Sequence, residues 1–390
     1  MLTTFALAAA MLAAHDDPTP AIQPLRLYNT VNRPAMVRIT PPHSHEGETE
    51  PGEPFVSLAL LDVDGSVIDG PTSVQPGAID LGQALPLIWE IREACWVQAM
   101  SGRAPFGPAL VVQPMLTRRP PQTEQAVRPD GATPYTRIVG WGTPVNPEPH
   151  PADPAGASTN RNEEGKGDVA APPPDGAASK EAPIVIEPQY FSGLRLYVER
   201  DVVLHTSRGS IRLVMRPDEA PNTAWNFLQL AEGGFYDGII FHRIVPFRRD
   251  GNPFVIQAGD PTRTGNGDAG YWLPIEPSEL PHDFGVISMA RDDDPDSAGS
   301  QFFIALSREG TKHLDGQYCA FGYAVSGTET IRAIAAVELA DVSAGRPVEP
   351  PVIERAELVP ATPRLIGRGR AEQPVKGEPQ PQSRNGRVPR

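Results

Sequence analysis

The stretch Phe241-His242-Arg243-Ile244-Val245-Pro246 is followed at short range by Phe254-Val255-Ile256-Gln257-Ala258-Gly259-Asp260. Two further runs come next, Ser288-Met289-Ala290-Arg291 and Ser297-Ala298-Gly299-Ser300-Gln301-Phe302-Phe303-Ile304. Leu314-Asp315-Gly316-Gln317-Tyr318, with Phe321-Gly322, closes the set. Arg243 stands two residues after Phe241 on a predicted strand, which puts both on one face and turns His242 to the other. Upstream, Val202-Val203-Leu204-His205-Thr206 and Ser210-Ile211-Arg212-Leu213-Val214-Met215 flank Ser207-Arg208-Gly209, a hairpin signal with glycine in the turn. Next, Pro221 precedes Ala224, Phe227, Leu228 and Ala231 at helical spacing, and Gly233-Gly234 stops the pattern. A second helix is expected over 328–339, with Ile331, Ile334, Ala335 and Leu339 on one face, and a last strand over 352–358.

Together these runs resemble the cyclophilins, the peptidyl-prolyl cis-trans isomerase family, over roughly residues 200–360. The resemblance implies a mainly β fold, a closed eight-stranded antiparallel barrel capped by two helices. It implies that Arg243 is the key catalytic residue and that Phe254, Phe303 and Leu314 line a proline pocket. Val255 falls where many members carry Met. Gln257 and Gln301 match glutamines that position the substrate backbone, work suited to an amide that both donates and accepts. Ala290 and Arg291 match the stretch that pairs with the extended peptide, Arg291 replacing a common Asn. His313 precedes Leu314 where cyclosporin-sensitive members carry Trp, so weak cyclosporin binding is expected. Tyr318 stands where His is frequent and keeps a ring with a polar tip. Period two then turns Cys319 inward. The segment Phe247-Arg248-Arg249-Asp250-Gly251-Asn252-Pro253 is longer than the usual connection. It either overhangs the groove and contacts the peptide or is a passive loop.

Rotating an X–Pro bond requires no nucleophile, cofactor or metal. The barrier of about 18–20 kcal/mol comes from delocalisation of the nitrogen lone pair into the carbonyl. A donor aimed at the prolyl nitrogen, with an apolar pocket gripping the ring, favours the twisted state selectively. The guanidinium of Arg243 stays charged and is the candidate donor. His242 reads as structural, since no proton is transferred. The loop 259–268 hints at a calcium site but lacks the closing bidentate Glu. Asp292-Asp293-Asp294-Pro295-Asp296 reads as a solvated acidic turn.

The rest of the 390-residue chain is of different character. Residues 1–14 are apolar and small, followed by His15-Asp16-Asp17, and resemble a signal peptide without a basic start. Export to the periplasm or the cell exterior is expected, and a cytoplasmic protein if that segment is not a signal. Residues 22–142 alternate short apolar runs with Pro, Gly and Asn and predict a sandwich-like β domain, with strands at 36–40, 55–61, 87–91, 95–100 and 109–112. His43, His45, Glu46 and Glu48 lie in a Pro/Gly-rich acidic loop and read as solvated rather than metal-binding. Residues 143–182 are a disordered linker or inserted loop by composition. Residues 183–199 supply connecting strands that can pair back onto the first domain, and 361–390 a disordered tail. The net charge of −14 argues against nucleic-acid binding. The two cysteines, Cys95 and Cys319, read as buried thiols. No segment is apolar enough to span a membrane as a mature helix. The expected partners are proline-containing peptides or unfolded proteins. Two other readings remain open: a catalytically weak proline-peptide-binding or chaperone module, and an envelope scaffold led by the N-terminal domain.

Overall fold

A computed structural model describes residues 21–31, 33–41, 56–117, 121–127, 134–141 and 190–377. The signal-like run 1–14, the His43/His45 loop, the linker 143–182 and the strand-like Ile184-Val185-Ile186 lie outside the described residues.

The cyclophilin-like half is one eight-stranded antiparallel sheet. Its order runs from Arg243–Val245 through Val255–Ala258, Phe302–Ala305, Val286–Met289, Ala320–Ser326, Gly209–Met215 and Arg200–Thr206 to Ile353–Pro360. The expectation of a closed barrel is corrected, because the sheet is curled and its two terminal strands do not pair. The isolated bridge Ile240↔Val352 and a few backbone hydrogen bonds, such as Ile353 N to Ile239 O at 2.7 Å, join the segments leading into them without forming a ladder. The outer edge of Arg243–Val245 is occupied instead by Gly345, whose carbonyl accepts from Ile244 N at 2.7 Å.

Helix Pro221–Glu232 buries Ala224, Phe227, Leu228 and Ala231 as the spacing requires. Phe227 meets Phe302 edge-on with centroids 5.3 Å apart, so the helix plugs the concave side of the sheet. The second helix, Thr328–Ala335, is shorter than expected. The chain beyond it is drawn into pairing, Leu339–Asp341 with Arg346–Pro347. In the hairpin, Gly209 has φ +120°, and a Cβ there would lie 2.5 Å from Thr330 Oγ1. Only glycine is comfortable at this turn.

The N-terminal half holds a larger sheet ordered Tyr28–Thr30, Tyr190–Val198, Leu110–Thr117, Cys95–Ser101, Val56–Leu61, Val67–Val74. A three-stranded sheet of Ile22–Pro24, Met36–Ile39 and Gly77–Asp80 accompanies it. The strand expected at 87–91 is a 3-10 turn, Pro86–Trp89; proline fixes φ and brings no N–H to a ladder. Period two sorts the larger sheet into two faces. Val97, Ala99, Leu110, Val112, Leu194 and Leu196 share a core with Ile22, Val37 and Ile39 of the small sheet. Trp96, Val111 and Tyr197 join the core of the eight-stranded sheet instead. One sheet therefore serves both halves.

The expectation of a disordered tail over 361–390 is corrected for residues 361–377, which pack across both halves; 378–390 lie outside the described residues. Arg364 lays its guanidinium 3.5 Å from the centroid of the Trp96 ring. It also grips Glu199 at 2.8 and 3.1 Å with both arms of the carboxylate. Arg370 does the same to Asp201 at 2.7 and 2.9 Å, and Asp201 accepts further from Arg212 at 2.8 Å. Composition read these arginines as solvated because their partners lie some 165 positions upstream. Both cysteines are free and buried. Burial pushes each thiol up to about 12. Among the described residues no helix is long and apolar enough to cross a membrane, and no three His, Cys, Asp or Glu side chains group as metal ligands.

Removing one partner of a buried ion pair leaves the other charge uncompensated at a cost of about 3–5 kcal/mol. Arg364→Ala should therefore lose stability of this order in urea unfolding, and removal of residues 361–390 at least as much.

Candidate active site

Three short strands build the site. Arg243↔Gln257, Val245↔Val255 and Gln257↔Phe303 are direct register partners. Ile244, Ile256, Phe302 and Ile304 point the other way and belong to the main core. The outer face thus carries Arg243, Val245, Val255, Gln257 and Phe303 side by side. Sequence spacing put Phe241 with Arg243, and this is corrected: the strand starts only at Arg243, and Phe241 is fully buried in the main core.

Phe254, Val255, Ala290, Phe303, Leu314 and Tyr318 form an apolar cluster of their own, distinct from the two larger cores, with Val245 packed against it. All six are among the residues singled out in the sequence. Leu314 arrives on a 3-10 turn, Lys312–Leu314, and Tyr318 is held by its N–H to Leu314 O at 3.1 Å. Cys319, next along and just before the strand Ala320–Ser326, joins the main core, the inward placement expected of it. Phe303 and Tyr318 meet edge-on with centroids 6.1 Å apart.

The polar members form a chain of donors running one way. Arg243 Nη1 donates to Gln257 Oε1 at 3.3 Å, and Gln257 Nε2 donates to Gln301 Oε1 at 2.9 Å. Gln301 Nε2 donates in turn to the carbonyls of Gly265 and Gly267 at 2.9 and 2.8 Å. Two fixed backbone acceptors therefore set both amide orientations and leave Gln257 presenting its oxygen to Arg243. Gln257 and Gln301 are at most 1% exposed, so these bonds act in a low dielectric.

Arg291, 5% exposed, lies with its guanidinium 4.5 Å from the Tyr318 ring centroid. It donates to the carbonyls of Asp292 and Gln317 at 2.8 and 3.3 Å, tying the two segments together. Ala290 N donates to Gln301 O at 2.9 Å. His313 stacks on Phe254, centroids 5.9 Å apart, at the edge of the apolar cluster. Burial pushes His242 down to about 4, so its ring is neutral at neutral pH.

Sequence reasoning missed His282. Its Nδ1 faces Asp315 Oδ1 and its Nε2 faces Ser288 Oγ, both at 3.0 Å, and its ring stacks on Phe303 with centroids 5.9 Å apart. Arg308 holds the other oxygen of Asp315 at 2.5 Å. The only local signal was Asp315 itself, next to Leu314; nothing near His282 in sequence points to it.

A family profile described as cyclophilin type peptidyl-prolyl cis-trans isomerase/CLD matches residues 201–358. A peptidyl-prolyl cis-trans isomerase of Synechococcus elongatus is 43% identical over 120 residues, covering 31% of this chain and 77% of its own. One from Schizosaccharomyces pombe is 38% identical over 161 residues, covering 40% of this chain and 97% of its own. A solved Cryptosporidium parvum cyclophilin type isomerase aligns with a TM-score of 0.37 and 30% identity, over 41% of this chain and 96% of that one. With relatives matched over most of their length at such identity, the chain belongs to the cyclophilin-type peptidyl-prolyl cis-trans isomerases.

Proposed function

We propose that Arg243 assists twisting of an X–Pro bond whose ring sits against Phe254, Val255, Phe303, Leu314 and Tyr318, in extended or unfolded polypeptide segments. Planar X–Pro bonds offer no donor-accepting lone pair on nitrogen; twisting breaks conjugation and creates one. A guanidinium beside the pocket then gains a hydrogen bond that exists only near the transition state, and such an interaction lowers the barrier. Gln257 keeps that guanidinium aimed, while the pocket holds the ring as the preceding carbonyl swings. The reading rests above all on one observation: Arg243 shares a face with the separate apolar cluster and is held there by the Gln257–Gln301 chain. Ala290 and the backbone around Arg291 supply the edge for an extended peptide. No group in this scheme gains or loses a proton.

The wall beside Phe254 is an imidazole, His313, rather than a wide indole. Weak cyclosporin binding follows from the smaller apolar surface.

Prolyl exchange on a short X–Pro peptide, followed by NMR, tests the proposal. Uncatalysed exchange takes tens to hundreds of seconds, which leaves catalysis plain against background. Arg243→Ala should lose about 10²-fold in rate, the scale for removing one preorganised donor. Slow exchange by intact protein that still binds the peptide would reassign the site to peptide capture. Gln257→Ala should cost about tenfold, as for a lost hydrogen bond that positions rather than reacts. An unchanged rate in that variant would remove the aiming role.

A further inference from the structure

The segment 247–253 folds back on itself: Arg248 N donates to Asn252 O at 2.8 Å and Gly251 N to Arg248 O at 2.9 Å. Asn252 N is capped by Asp250 Oδ1 at 2.9 Å. The fold-back carries the Arg248 guanidinium over the Phe254 ring, 5.5 Å from its centroid. His313 stacks on the same ring with its plane tilted by only 16°. The Arg248 side chain, 11% exposed, donates through Nη1 to Gly310 O at 2.8 Å and to His313 Nδ1 at 3.0 Å.

That last contact fixes a protonation state. A guanidinium only donates, so Nδ1 must keep its lone pair and the imidazole must be neutral, with its proton on Nε2. Nε2 is buried and has no partner among the described residues. A second proton on the ring would destroy the acceptor and set two cations at hydrogen-bond distance.

Resting on the reading of this cluster as the proline pocket, we propose that Arg248 and His313 are positioning residues. Bonded to each other while the imidazole is neutral, they hold the Phe254 wall of the pocket, and the wall loosens when His313 becomes charged.

The charged and titratable groups acting on His313 are Arg248, Asp250 and Asp315, with His282 interacting across the same region. Arg248 faces it, and Asp250 of the same loop stands 3.8 Å from Arg248 Nε. Asp315, two residues further along its own segment, is already engaged by Arg308 and His282. Phe254 closes the remaining side. Burial, then the Arg248 charge, hold His313 below the ordinary imidazole value, while Asp250 and Asp315 pull weakly upward. With its value held below the ordinary imidazole one, the ring is neutral and the contact intact at neutral pH, and the contact is lost only at pH below the ordinary imidazole range.

The test is kcat/KM against pH by NMR exchange, with the His313 ring shift followed in parallel. Wild type should show an acid limb with its midpoint below about 6.5, carried mainly by KM. His313→Gln keeps an acceptor but cannot titrate, so its normalised profile should lose that limb. Arg248→Met should raise the ring's midpoint and increase KM at neutral pH roughly two- to tenfold, the effect of one net hydrogen bond. An acid limb unaltered in His313→Gln, or a ring midpoint unmoved in Arg248→Met, would overturn the proposal. The ring shift reads the contact without turnover. A wild type that never accelerates exchange, yet shows the expected ring titration, would instead indict the isomerase reading on which the proposal rests.

Discussion

A slip of one residue between Arg243–Val245 and Val255–Ala258 would turn Arg243 into the main core and Ile244 out to the face that carries the smaller apolar cluster. Everything at the site depends on that register. It is held from both sides: Ile244, Ile256 and Ile304 are fully buried behind the strands, and Val245, Val255 and Phe303 pack in front. Burial on two faces, with opposite demands on odd and even residues, leaves the strands one alignment. The guanidinium and the two glutamines then fall beside the apolar cluster as a consequence.

Within that frame the polar chain has a direction imposed from outside. The carbonyls of Gly265 and Gly267 can only accept, so Gln301 must donate to them and accept from Gln257. Gln257 in turn must offer its oxygen to Arg243. Two backbone carbonyls of one loop thus set the orientation of a guanidinium on the edge strand, through two glutamines on the same face. His282 plays a comparable part behind Phe303, where its bonds to Asp315 and Ser288 brace the wall from the buried side.

The two halves of the chain are joined in a way that looks expensive. Glu199 and Asp201 lie where strand Tyr190–Val198 of one sheet passes into Arg200–Thr206 of the other, and both are nearly or fully buried. Desolvating them is tolerable only because Arg364 and Arg370 meet each carboxylate with two arms. The segment 361–377 therefore acts as a strap whose charges are complements to charges at the joint. Trp96, sandwiched beneath Arg364, contributes the apolar part of the same contact.

The sequence alone determined the family, because its motifs are long and ordered. It also determined the local elements that need only neighbours: the hairpin turn at Gly209, the helix begun by Pro221, the inward Cys319 beside an outward Tyr318. Six apolar residues picked from the motifs do assemble into one cluster. Tertiary structure decided the rest. Phe241 and Arg243 part company because the strand begins between them. Residues 87–91 are apolar enough for a strand, yet follow a proline that cannot join a ladder. The arginines of 361–377 are buried, and Arg248 lies on Phe254 beside His313. Alternation and propensity are properties of neighbouring residues and can be read along a chain. Which surface is covered, and which charge meets its opposite, depends on partners tens to hundreds of positions away, and only the folded chain brings those together.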